Sequence, residues 1–247
     1  RKYLREFLLD RRVIDISAIG RWMLVNLIIA PFRAPKSAKV YKELWDERGS
    51  PLMYYGVDVK EKLQNRLGDD YVVLLAMRYQ NPAISEVLNE LKKINPASIL
   101  VIPMFPQYAS ATTGSVNDKV MEEVRKWEVI PEISFISRFF EEEGFLNAFA
   151  SNGKQYLEED HWDHVLFSYH GLPERQIRKS SVDGSCQLSD KCCATYHQNN
   201  QYCYRAQCFH TSRLLAEKLQ LKPEDYTVVF QSRLGKDPWI QPYADDL

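Results

Sequence analysis

A histidine directly follows an apolar segment, at a position where a reacting side chain is expected. His170 comes after residues 164–169 and is followed by Gly171 and Pro173, so its imidazole should emerge at an edge of the fold. An imidazole titrates near neutral pH and can therefore accept a proton or bind a metal ion. A structural histidine with satisfied hydrogen bonds is the alternative interpretation.

All five cysteines lie in one short segment. They are Cys186, Cys192, Cys193, Cys203 and Cys208. Structural disulfides would be spread along the chain, so ligation of a soft metal or of a cluster is the better interpretation. Thiolates bind both zinc and iron–sulfur clusters, and reduced, unligated thiols are the remaining alternative.

Two further loops carry groups that suit a flat, acidic ligand. Arg78 and Tyr79 place a guanidinium beside an aromatic ring, which suits a carboxylate and a π-system, although such pairs are also common on protein surfaces. Residues 106–115 are rich in hydroxyl groups and small side chains. They would contact a polar ligand or cap the next helix through Ser115 and Asp118.

Short apolar runs that alternate with helical patterns would position these loops. The predicted strands are residues 71–77, 98–105, 133–139, 164–169 and 226–232. The predicted helices begin at Asn81 and Ser115 and cover residues 141–157 and 204–219. Apolar strands separated by helices predict a mostly parallel sheet covered on both faces, which is a doubly wound α/β fold. Ligands of such sheets bind beyond the carboxyl ends of the strands, where these loops lie.

Composition and patterning exclude several functions. The chain has 247 residues, 32 basic and 33 acidic side chains and a formal net charge of −1, so bulk electrostatics do not predict a nucleic-acid partner. Its longest apolar run, residues 23–32, is well short of the roughly 20 residues that span a bilayer. No glycine-rich phosphate loop follows a predicted strand, so no nucleotide cofactor is expected.

The amino-terminal helical stretch carries more apolar side chains than one helix face can bury. They include Tyr3, Phe7, Leu8, Val13, Ile14, Ile16, Ile19, Trp22, Met23 and Leu27. Some should face a ligand or a membrane surface, and packing in a core is the alternative. Because the chain opens at Arg1 inside a helical pattern and ends at Leu247 without a terminal signal, we interpret it as part of a longer protein.

Six groups of residues resemble the motifs of ferrochelatases and follow the order of that family. They are residues 4–14 (LREFLLDRRVI), 49–52 (GSPL), 77–79 (MRY) with Pro82, 106–108 (PQY) with 112–115 (TTGS), 168–173 (SYHGLP), and 231–235 (QSRLG) with Pro238 and Trp239. Each motif is short, but the ordered set spans essentially the whole chain.

The resemblance implies insertion of Fe(II) into protoporphyrin IX, which forms protoheme and releases two protons. It implies a chelatase-like α/β fold with two similar doubly wound, Rossmann-like lobes, parallel sheets and a porphyrin cleft between them. We expect the lobes at residues 1–127, without the first strand, and at residues 128–247, without the carboxyl end and including a cysteine-rich insertion at 180–208. Coproporphyrin III as the substrate, or a non-catalytic tetrapyrrole-binding protein on the same scaffold, are the alternatives. A cobalt chelatase acting on a corrin precursor fits less well with Tyr108 and residues 112–115.

The resemblance also assigns the site residues. The family's histidine that matches His170 lies at the metal-insertion site, as iron ligand or as acceptor of pyrrole protons. A carboxylate expected beyond Leu247 acts with it. Removing two pyrrole protons from a bent macrocycle requires a base on one face of the ring. By motif position and residue type, we assign substrate binding to Val13, Ile14, Tyr79, Tyr108, Ser110 and Trp239 and, at the propionate rim, to Arg12 and Arg78.

Some ferrochelatases carry a [2Fe-2S] cluster, and the cysteine segment is similar to an internal insertion of certain bacterial members. Four thiolates hold such a cluster. We assign Cys186, Cys193, Cys203 and Cys208, with Cys192 as the substitute because adjacent side chains diverge. Ser110 stands where animal members have a ligating cysteine, which is consistent with a self-contained insertion. We expect a cytoplasmic protein whose apolar amino-terminal region touches a membrane surface without crossing it.

Overall fold

A computed structural model describes residues 1–159, 161–181, 184–233, 235 and 237–246, apart from the side chains of Lys36 and Asp190. Leu234 of the last motif, two residues of the predicted cysteine-rich insertion and the final residue of the predicted second lobe lie outside the described residues. The chain groups into two compact units. The first comprises residues 1–101 and 114–134, and the second comprises residues 102–113 and 135–247.

The first unit is mainly helical. Its helices are α1 (Lys2–Leu8), α2 (Ala18–Met23), α3 (Ala30–Glu43), α4 (Pro51–Leu67), α5 (Ile84–Ile94) and α6 (Ser115–Val124), and a π-helical turn, Leu24–Ile29, joins α2 to α3. Its sheet pairs β1 (Ser98–Val101) with β2 (Glu132–Phe135). No helix of the described residues is long and apolar enough to cross a membrane.

Helix α5 shows how the sequence determines one of these elements. Ile84, Val87 and Leu88 recur at helical spacing and are buried, so one face of the helix packs inward. At its start, the Glu86 carboxylate accepts a hydrogen bond from the backbone N–H of Ala83 at 3.0 Å. Asn95 ends the helix in the left-handed conformation, with φ of 55°.

The second unit contains the helices α7 (Glu143–Glu159), α8 (Glu174–Ser180), α9 (Asp190–Cys193) and α10 (Tyr204–Leu219). Its strands, β3 (Val165–His170) and β4 (Tyr226–Gln231), pair in parallel from Val165 opposite Tyr226 to His170 opposite Gln231. Helix α10 packs against α7 and β4. The buried core contains Ile177, Cys208, Val228, Phe230 and Ile240.

The parallel β3–β4 pair and the helices around it confirm the predicted α/β class. The helix predicted from Tyr204 is confirmed with the same ends, and four of the five predicted strands are present with shorter or shifted bounds.

The strand predicted at residues 71–77 is wrong. The segment is not a strand of either sheet, and only Met77 forms a bridge, with Ala83. Two of its backbone groups bond to the amide side chain of Gln64 and not to a neighbouring strand. Gln64 Nε2 donates to Tyr71 O at 2.8 Å, and Gln64 Oε1 accepts from Val73 N at 2.8 Å.

Candidate functional site

His170 is the last residue of β3, and its side chain is exposed at the carboxyl end of the parallel pair. Protein atoms around the ring partly exclude water and lower the pKa of the imidazole below its ordinary value. The ring is therefore uncharged at neutral pH. An uncharged imidazole has a lone pair that can accept a proton or bind a metal ion.

Backbone hydrogen bonds join the motif that contains His170 to the end of β4 and to the loop that follows it. Gly171 N donates to Gln231 O at 2.8 Å, Ile240 N donates to Leu172 O at 3.0 Å, and Glu174 N donates to Pro238 O at 3.0 Å. A Cβ on Gly171 would lie 3.0 Å from Gln231 O and 3.3 Å from Trp239 Cε3, so a larger residue would require these neighbours to shift by a few tenths of an ångström. Trp239 therefore lies against the backbone beside His170.

The loop that carries Tyr108 and Ser110 is held by helix α10 in the same unit. Tyr108 N donates to Gln207 Oε1 at 2.7 Å, and Gln107 Nε2 donates to Thr211 Oγ1 at 3.1 Å. Gln207 and Thr211 are buried, so these contacts are shielded from water. Ser110 then begins a π-helical turn, Ser110–Gly114, and is half-buried.

In the first unit, Asp10 is the centre of a hydrogen-bond network. Its Oδ2 accepts from Arg78 Nη2 at 2.5 Å, from Tyr79 Oη at 2.9 Å and from Ser115 Oγ. Arg78 Nε also donates to Ser115 Oγ at 2.7 Å. The Asp10 side chain is only 4% exposed. Burial and the adjacent Asp10 charge raise the pKa of the Tyr79 phenol, which the bond with Ser115 opposes.

Arg12 has a different carboxylate partner. Its Nε lies 3.1 Å from Asp118 Oδ2, and Arg11 Nη2 lies 3.0 Å from the same oxygen. Partial burial of Asp118 opposes ionisation, but the hydrogen bonds from both arginines outweigh it and lower the pKa of that carboxyl. Ser115 and Asp118 thus bind other side chains and do not cap α6, contrary to the expectation from their spacing. Val13 and Ile14, which follow Arg12 in the sequence, are half-buried.

The cysteines approach one another in the second unit. Cys193 donates to the Cys203 sulfur, which raises the pKa of Cys193 and lowers that of Cys203, and Cys192 Sγ lies 3.8 Å from Cys193 Sγ. Cys208 is fully buried in the core, and Cys186 and Cys203 pack against that core. Within the described parts of the chain, no group of three or more cysteine, histidine or acidic residues is arranged to hold a metal ion.

The structure brings together some of the residues that the sequence assigned to the site. Trp239 lies beside the His170 motif, and Arg78 and Tyr79 share one carboxylate. Sequence reasoning assigned Ser115 only to helix capping and gave no role to Asp10 or Gln207. The available signal for Asp10 is an acidic residue two positions after α1, and the signal for Gln207 is a polar residue on the buried face of α10.

Comparison with known proteins identifies the family. A sequence model of the ferrochelatase family matches residues 1–247. The chain is 48% identical over 245 residues to a protein named ferrochelatase from Legionella pneumophila (strain Corby), covering 99% of this chain and 72% of that protein. It is 44% identical over 249 residues to a ferrochelatase from Coxiella burnetii (strain RSA 493 / Nine Mile phase I), covering 99% and 68%. The chain belongs to the ferrochelatase family.

Family membership confirms the resemblance that the six motifs indicated. In this ferrochelatase-family chain, the candidate site residues are divided between the two compact units. Arg12, Arg78 and Tyr79 belong to the first unit, and His170 and Trp239 belong to the second. The individual roles assigned to these residues stay predictions.

We predict that Asp10→Asn lowers the free energy of unfolding by about 3 kcal/mol, because it leaves the partly buried Arg78 guanidinium without its counter-charge. Urea unfolding followed by circular dichroism measures the loss. The control, Asp118→Asn, removes a more exposed carboxylate and should cost less than about 1 kcal/mol. Equal losses in the two variants would contradict the central role of Asp10.

Proposed function

We propose that this chain catalyses the insertion of ferrous iron into a porphyrin, with release of two protons. Membership in the ferrochelatase family supports this activity. The observation that carries it is an exposed imidazole of lowered pKa at the end of a parallel strand, in the family's SYHGLP motif. We take protoporphyrin IX as the substrate and coproporphyrin III as the alternative.

His170 would act at the two pyrrole N–H groups. A porphyrin must lose both protons before its nitrogens can bind the metal ion, and an imidazole that is uncharged at neutral pH has the lone pair to accept a proton. The same lone pair would bind ferrous iron, so the lowered pKa of His170 serves both proposed roles.

The remaining site residues would bind the macrocycle. Tyr108 and Trp239 supply aromatic surface in the second unit, and Val13, Ile14 and Tyr79 supply apolar surface in the first, where Arg12 and Arg78 would meet propionates. Ser110 would contact the substrate from the Tyr108 loop. Arg12 is the better candidate of the two arginines, because its partner Asp118 is partly exposed whereas the partner of Arg78 is buried.

We predict that His170→Ala in the full-length protein lowers the rate of iron insertion at least about 100-fold, because the site loses its base. Porphyrin affinity, measured by fluorescence quenching, should change less than about threefold. The assay is anaerobic, with ferrous ion and each porphyrin in turn.

His164→Ala is the matched control. This histidine directly precedes the other end of β3, and its Nε2 lies 2.8 Å from Thr227 Oγ1. The variant should retain the wild-type rate. A His170→Ala variant that turns over at the wild-type rate would refute the role assigned to His170. If the unmodified protein binds porphyrin tightly but does not insert iron, the non-catalytic carrier is favoured.

The cysteine segment is proposed to hold a [2Fe-2S] cluster through Cys186, Cys193, Cys203 and Cys208. Three features support this assignment. Cys193 and Cys203 are in hydrogen-bond contact, and Cys186, Cys203 and Cys208 share one apolar core. The contact with Cys203 raises the pKa of Cys193 and burial raises the pKa of Cys208, and the buried guanidinium of Arg205 offsets part of both increases, as a cation beside thiolates would.

Cys192 is the weaker ligand candidate, because its Sγ is 3.2 Å from Ser189 O and so already has a partner. The described cysteines are not arranged as a metal site, so ligation requires some of these side chains to rotate. When bound, the cluster would supply a one-electron redox centre and would restrict the conformations of the cysteine segment. A tetrahedral zinc site is the alternative.

We predict that Cys203→Ser abolishes the visible absorption and the iron and sulfide content of the isolated protein, because the cluster loses one of four ligands. Cys192→Ser is the matched control and should keep both. A colourless wild-type protein that contains zinc would favour the zinc site, and an unchanged spectrum in Cys203→Ser would refute ligation by that residue.

A peripheral contact of this chain with a membrane, from the cytoplasmic side, is also proposed. The segment of α2, the π-helical turn and the start of α3 exposes a run of large apolar side chains. They include Ile19 at 75%, Trp22 at 54%, Leu27 at 57%, Ile28 at 58% and Phe32 at 80% exposure. Exposed basic residues follow along α3, namely Arg33, Lys39 and Lys42. An apolar surface next to cations suits the surface of an anionic bilayer.

We predict that Phe32→Asp weakens binding to vesicles with anionic phosphatidylglycerol at least about tenfold, because it replaces an inserted ring by a charge. Co-sedimentation measures the binding. Phe149→Asp, which changes a 56% exposed phenylalanine on α7, is the control and should bind as the wild type does. If Phe32→Asp also sediments like the wild type, this surface does not contact the bilayer.

A further inference from the structure

The backbone of His170 has a side-chain partner that the activity does not itself require. Tyr204 Oη donates to the carbonyl oxygen of His170 at 3.0 Å. The imidazole of His170 lies at the carboxyl end of its strand and is only partly enclosed by other atoms. Its direction therefore also depends on the orientation of the backbone to which it is attached.

Tyr204 is itself firmly placed. It is the first residue of α10, and its ring packs against the core that contains Cys208, Phe230 and Ile240. A phenol is protonated at neutral pH, so the Tyr204 hydroxyl is available as a hydrogen-bond donor.

Helix α10 thus reaches two parts of the candidate site in the second unit. Its first residue holds the His170 carbonyl, and Gln207, one turn further on, accepts from the backbone N–H of Tyr108 at 2.7 Å. Cys203 precedes the helix and Cys208 lies within it, so the cysteine segment continues directly into this support.

We propose that Tyr204 is a positioning residue for metal insertion, which fixes the direction of the His170 imidazole through its hydrogen bond to the His170 carbonyl. The inference rests on the proposed function. Insertion requires the imidazole to face the pyrrole nitrogens closely, and a displacement of about 1 Å can slow a reaction substantially. Loss of this hydrogen bond should slow the chemical step and leave substrate binding unchanged.

The test is Tyr204→Phe in the full-length protein, which removes the hydroxyl and keeps the ring in the core. We expect kcat for iron insertion to fall about three- to tenfold, as loss of one hydrogen bond of ordinary strength would produce, with KM for the porphyrin within about twofold of the wild type. Tyr226→Phe is the matched control. Tyr226 belongs to the same core but is paired with Val165, at the end of the sheet away from His170. It should retain the wild-type kcat, and thermal melting should be similar in the two variants.

A double-mutant cycle separates positioning from a general structural role. In the His170→Ala background, adding Tyr204→Phe should leave the residual rate unchanged, because the hydroxyl then has no imidazole to direct. A full additional loss in that background, or a wild-type kcat in Tyr204→Phe alone, would overturn the inference. If His170→Ala itself turns over like the wild type, the proposed function fails instead, and the two failures are distinguishable.

Discussion

The register of β3 on β4 is the constraint on which the second unit's candidate site depends. His170 pairs with Gln231, and Gly171 N continues the pairing by donating to Gln231 O. A slip of one residue would turn every side chain of β3 to the opposite face and separate His170 from Trp239. Gly171 lets the two loops approach closely, because a Cβ at this position would crowd Gln231 O and Trp239.

Buried polar residues on α10 extend this constraint to the Tyr108 loop. Gln207 and Thr211 are almost completely buried, which is unfavourable unless their polar atoms find partners. Gln207 accepts from Tyr108 N and donates to Gln201 O, and Thr211 accepts from Gln107. These bonds form only when the loop lies in one position against the helix. The buried polar residues of α10 therefore specify one position of the Tyr108 loop, which a purely apolar helix face would not do.

The sequence predicted those elements whose pattern is local. Helix α10 was predicted with its observed ends, and the end of β3 was placed within one residue of His170. The segment 71–77 has an equally apolar pattern, but Tyr71 O and Val73 N bond to the Gln64 side chain, and no strand pattern specifies that choice. The hydrogen-bond network around Asp10 is likewise not predictable from a local pattern, because Ser115 is 105 residues away from Asp10 in the sequence. Candidate residues in motifs could be named from the sequence, whereas the groups that hold them depend on tertiary contacts.

The charges of the first unit indicate where a substrate carboxylate would bind. Arg78 is matched to the buried Asp10, and two neutral hydroxyls complete the bonds to that carboxylate, so a propionate there would have to replace a well-satisfied partner. Arg11 and Arg12 instead share the single carboxylate of Asp118, in a more exposed position. A propionate that joined Asp118 at Arg11 and Arg12 would displace no buried partner, because Asp118 is partly exposed.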